Sequence, residues 1–463
     1  MSTFQSSPMS TTTPPIVIIG GGLAGLTLSI GLAHNNIPHQ ISELAPAFAE
    51  IGSGIALGPN SVRALEQIDP RINDGFQRCV TYNEGVETDE YNNGTGPVST
   101  EFHDLIKTVT HSSSEKPGRA CFHRAKFLDE LIKLIPPSIV HFGKTLQSIE
   151  PTNDQNLVLH FADGTTVTTA AVIACDGIKS VVRRSYILAD TPNARTTRPQ
   201  STFEYAYRGM YTKQEFQSIT KGQISPNKGT IFCGTDAYIV MYPVEKGQFI
   251  NMVAVKRMPD AHELRELAAS ETSGTLDVKH DDVPWIQAVD KNTMMADFAG
   301  WGEPIQALIS HIKHPERWSL FDHLPAPTYV KGKVAILGDA AHASTPHQGQ
   351  GAGMAFEDSL VMSGVLGEVL ETKRGIPSDS VQGLDAKIEA AFKAYDQVRC
   401  PRTQAICRTS REMGDMLSYV LPGVGSDLAK IETNLAQRMN LIGYVDLQGG
   451  VQTPADIARK LLA

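Results

Sequence analysis

Ile16-Val17-Ile18-Ile19-Gly20-Gly21-Gly22-Leu23-Ala24-Gly25 is the stretch whose reading decides the fold. Four apolar residues in a row, mostly β-branched, read as a buried strand, and the glycines that follow stop it in a tight turn. From Leu23 the pattern changes period. Leu26, Ile30 and Ala33 fall at i, i+4 and i+7, which predicts a helix over about residues 23–34 with one apolar face. Asn35-Asn36 breaks it, and Pro38 to Glu43 reads as a second strand. Strand, turn, helix and strand of this size make half of a doubly wound sheet. In that context Gly20-x-Gly22-x-x-Gly25 reads as a dinucleotide fingerprint. The first glycine allows the turn, the second lets backbone approach a pyrophosphate, and the third lets helix and strand pack closely. The helix N-terminus adds N–H donors and the positive end of a dipole. Glu43, at the end of the second strand, is placed to bind ribose hydroxyls. The fingerprint alone does not separate NAD from FAD.

Two further pieces lie far downstream. Val172-Ile173-Ala174 leads into Cys175-Asp176-Gly177-Ile178-Lys179-Ser180, followed by Arg183-Arg184. Taken locally, Asp176-Gly177 fits a plain loop turn. Val334-Ala335-Ile336-Leu337 is a buried strand that leads into Gly338-Asp339-Ala340-Ala341-His342, then Pro346 and Gln350-Gly351-Ala352-Gly353. An Asp at the carboxyl end of a strand in a doubly wound sheet faces the ligand crevice. Gly349, Gly351 and Gly353 leave backbone N–H groups free to meet a flat ring system. A helix starting at Ala352-Gly353 would favour an anionic ligand through its dipole.

At 463 residues the chain is long enough for more than one domain. We expect an α/β protein: a tail over 1–15, a Rossmann-like dinucleotide-binding domain over 16–194 and 328–375, an inserted antiparallel-sheet substrate domain over 195–327 that takes in part of 76–118, and a helical C-terminal region over 376–463. Strands are expected at 203–211, 229–233, 237–243 and 249–256, a helix over 122–135, and an Asp163-Gly164 hairpin joining strands at 157–161 and 165–174. Helix breaks are expected near Gly375-Ile376-Pro377 and Pro422-Gly423. A net charge of −9 argues against nucleic acid as a partner. The six cysteines include no C-x-x-C pair, so neither a metal site nor a disulfide framework is expected. No apolar run is long enough for a membrane span, and the Ser/Thr/Pro-rich start lacks a signal peptide's basic and apolar regions. These features predict a cytoplasmic location.

The three motifs, in this order, resemble the flavoprotein aromatic hydroxylases of the p-hydroxybenzoate hydroxylase type, and among them the salicylate hydroxylases. Supporting stretches are Glu50 through Ala56, Gly58-Pro59-Asn60, His123 through Phe127, Tyr207-Arg208-Gly209-Met210, Phe298 through Gly302, and Gly338 through Asp358. The resemblance runs from about Ile16 to about Arg411. It implies FAD as cofactor, held by Gly20, Gly22, Gly25, Glu43, Arg124 and Asp339, with Gly54, Ala56, Gly351 and Ala352 lining the site. It implies that Asp176 serves both FAD and a transient NADH or NADPH, which accounts for the lack of a second Gly-x-Gly-x-x-Gly. Lys126 departs from the family, which often has an acid there. The reaction implied consumes O2 and NAD(P)H and hydroxylates a small phenolic substrate through a flavin C4a-hydroperoxide. The substrate expected first is salicylate, converted to catechol with loss of CO2, and a homodimer is expected by family likeness.

Arg208 and Tyr242 lie on predicted strands of the inserted sheet and are the candidate catalytic residues. An arginine fork suits a carboxylate or phenolate. A sheet salt bridge and a core tyrosine would fit the same pattern. By resemblance, related fungal enzymes that dearomatise phenolic aldehydes carry this Arg and Tyr, whereas bacterial salicylate hydroxylases carry the Arg with Phe. A polyketide-derived phenol therefore stays open as the alternative substrate, and a flavin-binding redox sensor as the alternative of another class. His342 is expected to be structural. His323 could reach the substrate, and His347 also flanks the last motif. Trp301 and Trp318 are expected in packing.

Overall fold

A computed structural model describes residues 16–48, 54–82, 88–93, 105–110, 120–270, 283–370, 381–443 and 460. The expected tail over 1–15, the part of the quoted stretch at 50–53, much of 76–118, the break at 375–377 and nearly all residues after 443 lie outside the described residues.

The Ile16–Ile19 strand sits inside a six-stranded sheet. The order is Val330–Lys331, Val334–Ile336, Val172–Ala174, Ile16–Ile19, His39–Ser42, Val140–His141, and all pairs are parallel except the first. Thus the three strands that lead into the three motifs lie side by side, and all three motifs leave the sheet at its carboxyl edge. The Leu23–His34 helix follows the glycine turn, as the spacing predicts. Its expected single apolar face is a correction. Ala33 is exposed, whereas Thr27, Ser29 and Gly31 are buried with the leucines. The reason is a second packing partner, the Gly351–Leu370 helix. Thr27 and Ser359 hydroxyls meet at 3.0 Å. A Cβ on Gly31 would lie 2.6 Å from the Ser363 hydroxyl, so the two helices approach at small residues.

An eight-stranded sheet forms the second layer, ordered Ile286–Ala288, Glu316–Asp322, Gln200–Thr212, Phe249–Arg257, Ala237–Val244, Gly229–Gly234, Thr88–Asn93, Leu105–Thr110. The four expected strands are its centre. Side chains alternate across it. Tyr205, Tyr207, Tyr211, Phe232, Ile239, Met241, Ile250 and Met252 pack against Met294, Phe298, Trp301, Ile305 and Leu308. The opposite face turns toward the parallel sheet. The chain is therefore α/β, with a Rossmann-like unit, an inserted largely antiparallel sheet and C-terminal helices.

Two expected elements are redrawn. Ala120–His123 is a strand paired with Gly54–Leu57, and the helix is only Arg124–Ile132. Phe122 keeps its apolar contacts, 5.1 Å from the Phe127 ring and 5.5 Å from Phe76, so its hydrophobicity did not reveal its backbone state. The run 165–174 divides into Thr166–Thr169, which completes the Asp163-Gly164 hairpin, and Val172–Ala174, which joins the parallel sheet. Thr169 turns the chain between them by donating to the Ala171 carbonyl at 2.9 Å.

The Val381–Leu417 helix, with Pro401 inside it, crosses behind the Gly351–Leu370 helix. Between them lies a buried ion cluster. Arg399 donates to Asp358 at 2.6 Å and to Glu357 at 2.7 Å. Arg402 and Asn60 also bind Glu357, and His342 binds the other Asp358 oxygen at 2.5 Å. Burial alone would raise the Asp358 carboxyl, but His342 and Arg399 outweigh it and hold it down at about 2. Replacing Arg399 by Met should cost about 3–5 kcal/mol, because two fully buried carboxylates lose their main cation. Urea unfolding checks this; a change below about 1 kcal/mol would show that the cluster is not what ties these helices together.

Candidate active site

A cavity of about 660 Å³ opens where the carboxyl edge of the parallel sheet faces the inner side of the eight-stranded sheet. It brings together most of the residues singled out in the sequence. Gly20 and Gly22 line it from the first motif, Asp176 from the second, and Asp339, Gly351 and Ala352 from the third. Glu43, Gly54, Ala56 and Arg124 join them, and Arg208 and Tyr242 line the sheet side. Gly25 does not line the cavity. A Cβ there would run into the Gly20 carbonyl, so its part is to let the helix close on the turn.

The glycine turn is shaped for a ligand. Gly20 has φ +99°, a conformation that strongly favours glycine. Gly22 is extended, and a Cβ on it would meet no protein atom within 4 Å, so only open space lies in front of it. The Leu23–His34 helix points its N-terminus into that space, and so does the Gly351–Leu370 helix. Glu43 accepts from the Gly21 N–H at 2.5 Å and the Ala45 N–H at 2.8 Å, which fixes the acid beside the turn. Each carboxylate oxygen keeps a lone pair for a further donor. Two helix N-termini, an acid at the end of the second strand and bare backbone at Gly22 together fit a dinucleotide with a pyrophosphate.

The second motif is more than a loop turn. Asp176 accepts from the Val181 N–H at 2.8 Å, and burial raises its carboxyl pKa. Arg183, fully buried, donates to the carbonyls of Ala341 at 2.7 Å, Thr196 at 2.9 Å and Leu324 at 3.1 Å. Burial pushes its guanidinium down to about 10, so it stays charged at neutral pH. It thereby clamps the short Asp339–His342 helix from behind. Gly338, at φ +63°, makes the sharp entry to that helix, and its N–H donates to Asp358 at 3.1 Å.

The sheet side is arranged in rows. Arg208, Val253, Val240 and Ile231 lie opposite one another across four strands. On one side of that row lie Tyr242 and Asn251, on the other Ala206, Val255 and Tyr238. Rows two residues apart are separated by about 6.6 Å, the span of a substituted benzene ring. Leu320 and Leu417 complete the apolar lining. Arg208 stacks 4.2 Å from the Trp318 ring, which fixes the plane of its fork. Burial lowers its pKa, Tyr242 opposes this and Arg124 adds to it. Tyr242 donates to the Gly54 carbonyl at 2.8 Å, so its oxygen still offers lone pairs. It also joins the sheet wall to the strand that carries Gly54 and Ala56.

Three residues of the site, Asn251, Tyr238 and Glu204, escaped sequence reasoning, and His347 was noted only as flanking the third motif. Asn251 is 5% exposed, lines the cavity and leaves Nδ2 without a partner. Its signal was a lone amide inside an apolar strand. Tyr238 lies four residues before Tyr242, so strand alternation places both on one face. Its hydroxyl is 2.7 Å from His347 Nδ1, and His347 Nε2 is 3.2 Å from Glu204. Glu204 was the lone acid in its strand; nothing local marked His347 above its neighbours. His342 is buried on Asp358, away from the cavity lining. His323 is buried, is not among the lining residues, and burial drops its pKa to about 3. Lys126 pairs with Glu245 at 2.6 Å, away from the cavity lining.

Residues 310–377 match the family model described as FAD binding domain. The chain is 35% identical to a 6-methylsalicylate 1-monooxygenase of Aspergillus terreus, over 96% of this chain and 93% of that protein. It is 30% identical to a salicylate hydroxylase of Pseudomonas putida, over 93% of this chain and 92% of that one. A solved substrate complex of a salicylate hydroxylase superposes with a TM-score of 0.78 at 30% identity, covering 97% of this chain and 98% of that chain.

The glycines offer a direct test of the cofactor site. Gly22→Val should cost the apoprotein no more than about 1–2 kcal/mol, because its Cβ meets no protein atom within 4 Å and the change acts mainly through the helix N-cap. It should weaken FAD binding at least about 100-fold, because that side chain occupies the ligand's space. Thermal melts of apoprotein and flavin titrations check the pair; FAD binding unchanged by Gly22→Val would remove the first motif from the cofactor site.

Proposed function

The chain belongs to the FAD-dependent aromatic hydroxylases, a monooxygenase of the salicylate hydroxylase type, and we propose that it hydroxylates an ortho-hydroxybenzoate, with salicylate as the first substrate to test. The observation that carries this is the placement of Arg208 and Tyr242 on the sheet wall of the cavity whose other wall is formed by the three motifs. We assign Gly20, Gly22, Glu43, Arg124, Asp176, Asp339, Gly351 and Ala352 to FAD, with Gly54 and Ala56 beside its ring. Bound FAD supplies the redox and oxygen-activating chemistry, with NADH or NADPH as electron source.

The side chains of this chain bind and orient. Arg208, held flat by Trp318, offers a planar fork to the substrate carboxylate. The ring rests on Val240, Val253 and Ile231, with Leu320 and Leu417 around it. Taking water off the ring and its oxygen substituents strengthens every polar contact in the cavity. With salicylate, the carbon that bears the carboxylate receives the hydroxyl, the carboxyl leaves as CO2, and catechol results. A second reading is favoured by one observation, the Tyr242 hydroxyl in the same wall. A phenolic aldehyde or ketone of polyketide origin would place its phenolate oxygen between Tyr242 and Arg208 and undergo dearomatising hydroxylation there.

Oxygen uptake coupled to NADH or NADPH oxidation, with product mass, across salicylate, 6-methylsalicylate and phenolic aldehydes, tests the assignment. Stimulation by salicylate with catechol as product supports it; stimulation only by aldehydes moves it to the second reading. Arg208→Met should lower kcat/KM at least about 100-fold with any accepted substrate. Tyr242→Phe should cost less than about tenfold with salicylate but abolish a dearomatising activity.

A further inference from the structure

Asn251 is the one side-chain amide among the described residues that line the cavity. It stands almost wholly buried in an apolar strand, and among the described residues no partner reaches its Nδ2. The other polar groups of the sheet wall are engaged. Tyr242 donates to the Gly54 carbonyl, Tyr238 meets His347, and Arg208 stacks on Trp318. A buried N–H without a partner destabilises a fold, whereas an apolar group of the same shape does not. A leucine would fill this place in the strand and leave nothing unpaired. Packing therefore gives no reason for an amide here, and a ligand does.

The position of Asn251 says which part of a ligand it meets. It pairs across the sheet with Tyr242 on one side and Met210 on the other. Two residues along its own strand is Val253, which pairs with Arg208. The amide is thus one row, about 6.6 Å, from the row of the guanidinium. Gly54 closes it off toward the cofactor side. A Cβ on Gly54 would lie 3.1 Å from Asn251 Cγ and 2.9 Å from the Tyr242 hydroxyl. A ring with its carboxylate on Arg208 and its face on Val253 turns one ortho edge to the Tyr242–Asn251 row. The amide has two ends: Nδ2 donates and Oδ1 accepts. A half-turn about the last side-chain bond exchanges them and breaks no hydrogen bond at Nδ2. Asn251 can therefore donate to a carbonyl oxygen or accept from a hydroxyl.

We propose that Asn251 is a specificity-determining residue, which binds an oxygen substituent at the ring position next to the group held by Arg208, on the edge that faces Tyr242. The assignment rests on the hydroxybenzoate function proposed above and narrows its substrate class. A substrate of this class carries oxygen on both sides of the carboxylate, as a 2,6-dihydroxybenzoate does, or a hydroxyl on one side and a carbonyl on the other. Salicylate has only hydrogen on the second side and leaves the amide unpaired. A methyl there covers the amide, keeps water from it and offers it nothing. An oxygen at this position also feeds electrons into the carbon that bears the carboxylate, the carbon that receives the hydroxyl.

The test compares two probes of one shape, 2,6-dihydroxybenzoate and 2-hydroxy-6-methylbenzoate, which exchange a hydroxyl for a methyl at one position. FAD-loaded protein is titrated with each in the absence of reductant, and the change in flavin absorbance gives Kd. The wild type should favour the dihydroxybenzoate at least about tenfold, because the methyl leaves the amide unpaired. Asn251→Leu, which puts methyl groups in place of the amide, should cut that preference at least about fivefold, and so should the smaller Asn251→Val. The probes also differ in acidity, and that difference cancels when wild type and variant are compared. Retained flavin absorbance shows which variants are folded, and either one suffices. If the probes bind and the preference falls by less than about fivefold in a folded variant, Asn251 is not the determinant and the proposed function stands. A wild type that favours the methyl probe overturns the assignment in the same way. If neither probe binds the wild type, the proposed function and this assignment fall together.

Discussion

Two adjacent carboxylates, Glu357 and Asp358, sit fully buried on the helix that follows the third motif, and the geometry of the cofactor cavity hangs on how they are neutralised. A buried charge without a partner costs several kcal/mol, so the fold must bring cations and donors to this point. It brings Arg399 and Arg402 from the long C-terminal helix, Asn60 from the helix after Gly58, and His342 and the Gly338 N–H from the third motif. Such a cluster need not add much net stability, since apolar packing of the same volume could do as well. What it adds is registry. The turn at Gly338 and the helix N-terminus at Gly351 are both fixed to the same two carboxylates, and these are two walls of one cavity.

Arg183 extends the same logic to the second motif. It brings a full positive charge into the interior, and among the described residues its guanidinium hydrogen bonds go to carbonyl oxygens, two of them at the C-terminal end of the short Asp339–His342 helix. A cation is favoured there by the helix dipole. The Asp176-Gly177 turn is thereby locked to the Gly338-Asp339 turn, although more than 150 residues separate them in sequence. The sheet wall is attached last, through Tyr242 and the Gly54 carbonyl. A residue that faces the substrate is thus also bonded to the strand that faces the cofactor.

The first motif and the central strands were legible because they depend on local physics. Branched residues make the Ile16–Ile19 strand and Gly20 makes the turn, whatever surrounds them. Phe122 was misread because an apolar residue looks the same in a buried strand and a buried helix; pairing with Gly54–Leu57, far away in sequence, decided it. Ala33 was assigned to the core by spacing, yet the packing of a second helix buried the small residues instead. Asp176 read as a loop turn because its meaning lies in the neighbouring strand. His347 was seen only as a neighbour of the third motif for the same reason. Its partners Tyr238 and Glu204 are more than 100 residues away, and no spacing rule connects them.

The strand Gln200–Thr212 shows how narrow the margin is. Tyr205 and Tyr207 point to the outer face, where both hydroxyls donate to Asp297, at 2.9 and 2.6 Å. Glu204, Ala206 and Arg208 lie on the other face, where Ala206 and Arg208 line the cavity and Glu204 is buried behind His347. Side chains alternate with period two, so a slip by one residue would exchange the two sets. Register is set near Phe203, whose φ of +58° is unusual for a bulky residue. There the pairing with Glu316–Asp322 shifts between Ser201 and Tyr205, which marks a bulge. Ser201 supports it by accepting from the Phe203 N–H at 3.1 Å. The irregularity at one phenylalanine separates the phase of residues 200–201 from that of 204–212, whose unbroken pairing with Phe249–Arg257 holds the acid and the arginine on one face.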